Sequence, residues 1–162
     1  MNSRIVIGIS GVSGSIYGVR ILEVLKNADY ETHLVVNCAG KTTLANEVAE
    51  RLEDITSLTD FYYSEEKIGE RIASGSFETL GTIIALCSMK TMSEIVSGVT
   101  SNLLMGAADV TLKERRKLVL MVRKSPLHFG HLRNMLKLTE MEQLLLRQCQ
   151  LFILNRNLWR TL

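Results

Sequence analysis

The sequence predicts one doubly wound α/β domain, a mostly parallel sheet with helices on both faces. Three observations lead there. Short continuous apolar runs recur at 4–10, 31–37, 81–88 and 117–122, as strands buried on both faces require. Stretches with apolar residues at helical spacing lie between them, and such alternation implies crossover connections within one sheet. A chain of 162 residues, 46% hydrophobic, supplies one sizeable core.

The elements follow in order. "RIVIGIS" (4–10) is rich in β-branched residues and opens the sheet. "YGVRILEVLKNA" (17–28) places Tyr17, Ile21, Val24 and Leu25 on one helical face. "ETHLVVN" (31–37) is the second strand, and a helix runs on through "KTTLANEVAERLE". Tyr62 and Tyr63, in "DFYYSEE", read as a half-buried connection. "GTIIALCS" (81–88) is a further buried strand, followed by a short helix at 90–98. "NLLMGAADVTLKERR" is helical, "KLVLMV" (117–122) is a strand, and "HLRNMLKLTEM" (131–141) is a helix. The chain shows no internal repeat and no Pro-rich linker.

Bulk properties exclude several classes. A net charge of +2 gives no case for a nucleic-acid partner, although basic residues cluster at 112–124. Cys38, Cys87 and Cys149 form no C-x-x-C pair, and an odd count argues against a disulfide framework. The N-terminus lacks the pattern of a signal peptide, and no apolar run approaches a membrane span. A reduced, soluble, cytoplasmic protein is expected.

In doubly wound sheets, ligands sit beyond the carboxyl ends of the strands. Segments 10–15, 37–41 and 87–91 fall there. "SGVSGS" joins a strand tightly to a helix whose free N–H groups favour a phosphate. Gly11 and Gly14 let backbone approach a ligand, while Ser10, Ser13 and Ser15 offer hydroxyls. The alternative is an ordinary tight turn with capping serines. "CSMKT" (87–91) repeats the arrangement, and two such loops at neighbouring strand ends favour a phosphate-bearing ligand. His128 and His131, three apart, resemble a metal pair but lack a third ligand, so no metal is expected. Cys87, at a strand end, reads as a small packed residue and not as a nucleophile.

Taken together, "GISGVSGSIYGVRILEVL", "ETHLVVN", "ASGSF", "CSMKT", "AADVTLKERRKLVLMVR" and "PLHFGHLRNML" resemble, in order and spacing, the UbiX-type flavin prenyltransferases. These were formerly described as phenylacrylic acid or polyprenyl-hydroxybenzoate decarboxylases. The resemblance covers residues 4–141. It implies a Rossmann-like (flavodoxin-like) flavoprotein that forms trimers assembling into a dodecamer. It also implies transfer of a dimethylallyl group from dimethylallyl monophosphate to N5 and C6 of reduced FMN. The product, prenylated FMN, would serve a UbiD-type decarboxylase.

By the same resemblance, Gly11, Val12 and Ser13 form one FMN loop, and Ser88, Met89, Lys90 and Thr91 the other. Arg123 matches the arginine that contacts the flavin, and Asn37 stands where the family usually has serine. Ser13, Glu47 and Lys113 match positions around the prenyl phosphate, with Ser13 and Glu47 in catalytic roles. Such residue types suit the chemistry. Cations and hydroxyls stabilise a leaving phosphate, and a carboxylate can move protons. "SGSF" (74–77) is expected to line the apolar prenyl slot.

The chain departs from the family in three places. Lys124 follows Arg123 where the family carries an acid/base glutamate. Gly106 replaces an arginine before "AADV". After Met141 the family's buried strand and helix are replaced by "EQLLLRQCQLFILNRNLWRTL". Restoring one base there back-translates to family-like text, so residues 142–162 are expected to be an out-of-frame tail on a 1–141 domain with its C-terminal part cut short. That tail is expected as a non-family helix or poorly ordered chain that leaves the sheet ending at 117–122. Two other functions compete. One is an FMN-binding remnant or assembly subunit. The other is a flavin-dependent cysteine decarboxylase, disfavoured because "CSMKT" replaces the "PASANT"-like segment of those proteins.

Overall fold

The computed structural model describes residues 3–147. Six strands, β1 (Ser3–Ile9), β2 (Tyr30–Val36), β3 (Phe61–Ser64), β4 (Gly81–Ile84), β5 (Lys117–Val122) and β6 (Leu144–Arg147), form one sheet. Their order is β3-β2-β1-β4-β5-β6, and every pairing is parallel. The helices are α1 (Ile16–Lys26), α2 (Cys38–Glu47), α3 (Leu52–Thr56), α4 (Met89–Ser97), α5 (Leu103–Lys113) and α6 (Phe129–Glu140). The chain winds outward from β1 to β3, then returns to lay β4 on the other side of β1. That reversal opens a crevice beyond the ends of β1 and β4.

Alternation along the strands divides the core. Ile7, Ile9, Leu34 and Val36 pack on one face with Val19 and Leu22 of α1. Val6, Val35, Leu118 and Leu120 pack on the other with Leu103 and Leu104 of α5. Both faces are covered, so the strands read as continuous apolar runs instead of alternating ones.

Several elements differ from the sequence expectation. The buried residues of α1 are Gly18, Val19 and Leu22, whereas Val24 is 70% exposed. A Cβ at Gly18 would lie 2.7 Å from Ile9 Cδ1, so α1 seats on β1 through this glycine. Tyr17, Ile21, Val24 and Leu25 instead line a shallow apolar groove with Met121.

The helix expected through residue 53 stops at Glu47. Val48 is extended, and Arg51 N–H donates to Asp54 Oδ2 at 3.1 Å to start α3. Residues 61–64 are an edge strand and not a connection. With one neighbour only, β3 leaves Phe61 and Tyr62 well exposed, which hid its strand pattern. The run at 81–88 is a strand only to Ile84, because Ala85–Ser88 turn off the sheet into the crevice.

The largest correction concerns the tail. Leu144–Arg147 form β6, pairing Val119 with Leu144 through Val122 with Arg147. The open edge of β5 supplies backbone partners that a helix there would leave unmet. Leu118 N–H donates to Gln143 Oε1 at 2.8 Å, at the entry to that pairing. Leu145 packs against the core, while Leu144 and Leu146 stay half exposed. The remainder of the tail expectation, residues 148–162, lies outside the described residues.

Candidate active site

The β1–α1 loop is held by hydrogen bonds to three other segments. Ser10 Oγ donates to Leu86 O at 2.6 Å and accepts from Ser88 N–H at 2.9 Å. It thereby ties the two strand-end loops flanking the crevice into one unit. Ser15 is buried, and its Oγ donates to Glu47 Oε2 at 3.0 Å. The same oxygen accepts from Gly14 N–H at 2.6 Å and Ser15 N–H at 3.1 Å.

The N–H groups expected to receive a phosphate are therefore occupied by a carboxylate of the chain itself. Of the three serines read as open hydroxyls, only Ser13 is exposed. Burial pushes the Glu47 carboxyl upward, but the bonds from Gly14, Ser13 and Ser15 outweigh it and hold the group below the usual glutamate range. Gly14 has φ +102, which L side chains rarely adopt, and a Cβ there would lie 2.5 Å from Leu86 Cδ1.

Arg123 leaves the end of β5 and reaches this loop, donating from Nη1 to Ser13 O at 2.7 Å. Burial raises the Tyr17 hydroxyl, and the Arg123 charge draws it partly back. A cavity of about 230 Å³ opens here, lined by Val12, Ser13, Cys87, Met89, Arg123 and Lys124, with Ser125 at its edge. Lys124 is exposed at its margin, where the resemblance leads one to expect a glutamate.

Asn37 caps α2, with Oδ1 accepting from Gly40 N–H at 2.7 Å, so its amide NH₂ is the half left to donate. Ser88 caps α4, accepting from Thr91 N–H at 3.0 Å and donating to Thr91 Oγ1 at 2.9 Å. Gly11 lies against Ala39 at the start of α2. Lys90 projects away from the loop, its side chain 84% exposed and 3.9 Å from Glu94. The structure thus brings Gly11, Val12, Ser13, Asn37, Glu47, Ser88, Met89, Thr91 and Arg123 to one end of the sheet, with Lys90 pointing outward.

Lys113 is elsewhere. It ends α5, immediately before β5, while Arg123 follows β5, a strand of six residues or roughly 20 Å. Gly106 lies seven residues earlier on the same face of α5, where an added Cβ would meet only Ala73 Cβ at 3.4 Å. The 74–77 turn sits on that face too. Arg116 donates to Gly75 O at 2.7 Å and to Phe77 O at 2.8 Å. Within one protomer this turn does not line the cavity beside Ser13.

Burial raises the Cys87 thiol far above its ordinary value, so Cys87 is not a thiolate nucleophile at neutral pH. His128 and His131 stack at 3.6 Å, and His128 Nδ1 accepts from Gly130 N–H at 3.1 Å. No cluster of three metal-ligating groups occurs among the described residues. Nor is any of their helices long and apolar enough to cross a membrane. Ser10 and Leu86 are the site residues that sequence reasoning missed as a bridge. A serine directly after a buried strand was the available signal.

The flavoprotein family profile matches residues 1–155. The chain is 51% identical over 137 residues to the flavin prenyltransferase UbiX of Thauera aromatica, covering 85% of this chain and 71% of that one. Its fold matches a crystal structure of AnUbiX (PadA1) in complex with FMN and dimethylallyl pyrophosphate. There the TM-score is 0.88 at 36% identity, over 90% of this chain and 77% of that one. It also matches a dodecameric FMN-dependent UbiX-like decarboxylase from Escherichia coli O157:H7, with TM-score 0.86 at 40% identity, over 88% and 77% of the two chains.

Proposed function

The chain belongs to the UbiX-type flavin prenyltransferases of the flavoprotein family, and on that premise we propose that it prenylates reduced FMN. The reaction moves a dimethylallyl group from dimethylallyl monophosphate to N5 and C6. The C–O bond to phosphate, the N5–H and C6–H bonds and the alkene π bond break; one C–N, one C–C and one C–H bond form on the prenyl carbons, and phosphate leaves with the remaining proton. The observation that carries this reading is the joining of Glu47, Ser13 and Arg123 around one loop beside a cavity.

The residues fit FMN. Gly11 and Gly14 seat the loop tightly, since a Cβ at either would strike Ala39 or Leu86, and Val12 and Ser13 between them line the cavity. Bound reduced FMN supplies the nucleophile. The chain's own groups do the rest. Asn37 NH₂ and the Ser88–Thr91 turn donate towards the ligand phosphate, and Arg123 lies alongside the Ser13 backbone at the cavity. Glu47, held ionised by the loop and hydrogen-bonded by Ser13, serves as the proton acceptor of the reaction.

Lys113 belongs to the same proposal through assembly. It lies at the other sheet end of its own protomer, so it serves a site only when a neighbouring protomer presents it. A head-to-tail ring does this, and the trimer-based dodecamer expected from sequence contains such rings. The product is passed to a UbiD-type decarboxylase. A second reading, an FMN-binding form with weak turnover, is favoured by Lys124 at the cavity margin and by the empty Gly106 position. We further read residues 142–162 as displaced by one base after Met141. Resequencing the coding DNA tests that point.

Arg123→Ala is expected to weaken FMN binding by at least ~1.5 kcal/mol, the low end for a charged hydrogen bond. Fluorescence titration of FMN checks it, and unchanged affinity removes Arg123 from the site. The activity itself is tested by phosphate release from dimethylallyl monophosphate. Release should require reduced FMN, and release that ignores the flavin's redox state would contradict the assignment.

A further inference from the structure

His33 lies on β2 with no exposed surface, remote from the cavity. Its Nε2 is 2.9 Å from Glu31 Oε1, and its Nδ1 is 3.0 Å from the Tyr63 hydroxyl. Glu31 Oε1 also accepts from Arg4 Nε at 3.1 Å, and the Tyr63 hydroxyl accepts from Arg71 Nε at 2.9 Å. A carboxylate can only accept, so Nε2 carries the proton that meets Glu31. Nδ1 is then the acceptor, and Tyr63 O–H donates to it. Each of the four links in the relay Arg71–Tyr63–His33–Glu31–Arg4 then has one donor and one acceptor. The imidazole is neutral.

The relay anchors one segment. Phe77 meets the His33 ring edge-on at 5.1 Å and lies under Arg4 at 4.7 Å and Arg71 at 5.0 Å. Phe61 stacks on His33 at 4.9 Å, beneath Arg71 at 4.2 Å. Residues 71–77 are thus fastened at Arg71 and at Phe77. Between these points, the place of a Gly75 Cβ lies 3.2 Å from Lys113 Nζ and 2.4 Å from Glu114 Oε1.

We propose that His33 is a positioning residue, whose neutral ring latches residues 71–77 against the face of α5 that presents Lys113, and whose protonation releases that segment. A second ring proton would confront the Tyr63 hydroxyl. Tyr63 would then accept from both His33 and Arg71, and its own hydrogen would lose its partner in a buried place. The charges facing the ring are Glu31 from β2, Asp60 beside β3, Arg4 from β1 and Arg71 from the turn. Asp60 is held by Thr32 N–H at 2.7 Å, leaving Glu31 the carboxylate in contact.

Burial lowers the His33 pKa, Glu31 opposes this, and Arg71 and Arg4 add to the lowering. The sign follows. The unfolded chain takes the proton first, so the latch contributes fully above about pH 6.5 and weakens as pH falls below it.

The role in turnover rests on the reading that Lys113 meets the prenyl phosphate, so the test has two arms. Hydrogen exchange of amides 71–77 in the full chain should speed up between pH 7.5 and 5.5 beyond the intrinsic pH effect. In Tyr63→Phe it should be fast at both. Exchange that stays flat in both proteins overturns the latch, whatever the activity. In turnover, Tyr63→Phe should raise KM for dimethylallyl monophosphate about two- to twelvefold, the span of one hydrogen bond, with FMN affinity unchanged. In the unsubstituted protein KM should rise as pH falls below about 6.5, and His33→Gln, which keeps a donor towards Glu31, should abolish that rise. A released segment with unchanged KM overturns the positioning role. A pH-dependent segment in a protein that never transfers prenyl groups supports the latch and counts against the assigned activity.

Discussion

Glu47→Gln should lower prenyl transfer about 10²–10⁴-fold, the usual contribution of a general acid or base, while the protein stays folded and binds FMN. The substitution separates two jobs of one side chain. Glu47 Oε2 accepts from Gly14 N–H, Ser15 N–H and Ser15 Oγ, and an amide oxygen can take over those bonds. The amide cannot accept and return a proton. Glu47→Ala removes both functions and should weaken FMN affinity as well, because the loop loses its clamp.

Acidification gives an independent check. Burial raises the Glu47 carboxyl, but the loop hydrogen bonds lower it further, so its folded value lies below the unfolded one. Its stabilisation is complete above the ordinary glutamate value near ~4.3 and is lost as pH falls through the lowered one. A melting series down to pH 3 should show Glu47→Gln losing less stability than the unsubstituted protein over that window.

Lys124→Glu is expected to raise prenyl transfer about 10²–10⁴-fold if an acid/base group at this position limits the reaction. Lys124 borders the cavity next to Arg123, so a carboxylate there would stand beside the arginine that the proposal sets against the flavin. It would also change the field at His131, whose pKa is lowered by burial, by His128 and by Lys124. With the tail restored by one base in both proteins, turnover by Lys124→Glu no faster than by its Lys124 counterpart would show that position 124 is not limiting.

The parts of the fold legible in sequence were those buried on both faces. The runs at 4–10, 31–37 and 117–122 became strands within a residue or two, because central parallel strands need uninterrupted apolar text. Edge strands escaped for the opposite reason. Among the described residues, Phe61–Ser64 and Leu144–Arg147 each have one neighbour, and pairing in register with β2 or β5 decided their structure more than composition did.

The family resemblance named candidate positions, but it could not show how they connect. Nothing in "SGVSGS" reveals that Glu47, more than thirty residues away, fills its N–H groups. The break of α2 at Glu47 makes that possible, and helix propensity had extended the helix past it. Lys113 shows the converse. The resemblance, and not its type or spacing, matches it to a phosphate ligand, yet its protomer places it beyond the far end of β5. On the proposed reading, assembly brings it to a site.

The central claim is that this chain makes prenylated FMN, and the mass of the flavin it holds tests that most directly. Folded protein would be incubated without oxygen with reduced FMN and dimethylallyl monophosphate, then denatured, and the released flavin weighed. The account predicts a flavin heavier by one dimethylallyl-derived unit, formed only when both substrates are present and sharply reduced in Glu47→Gln. Unmodified FMN recovered from folded, flavin-loaded protein after prolonged incubation would contradict it.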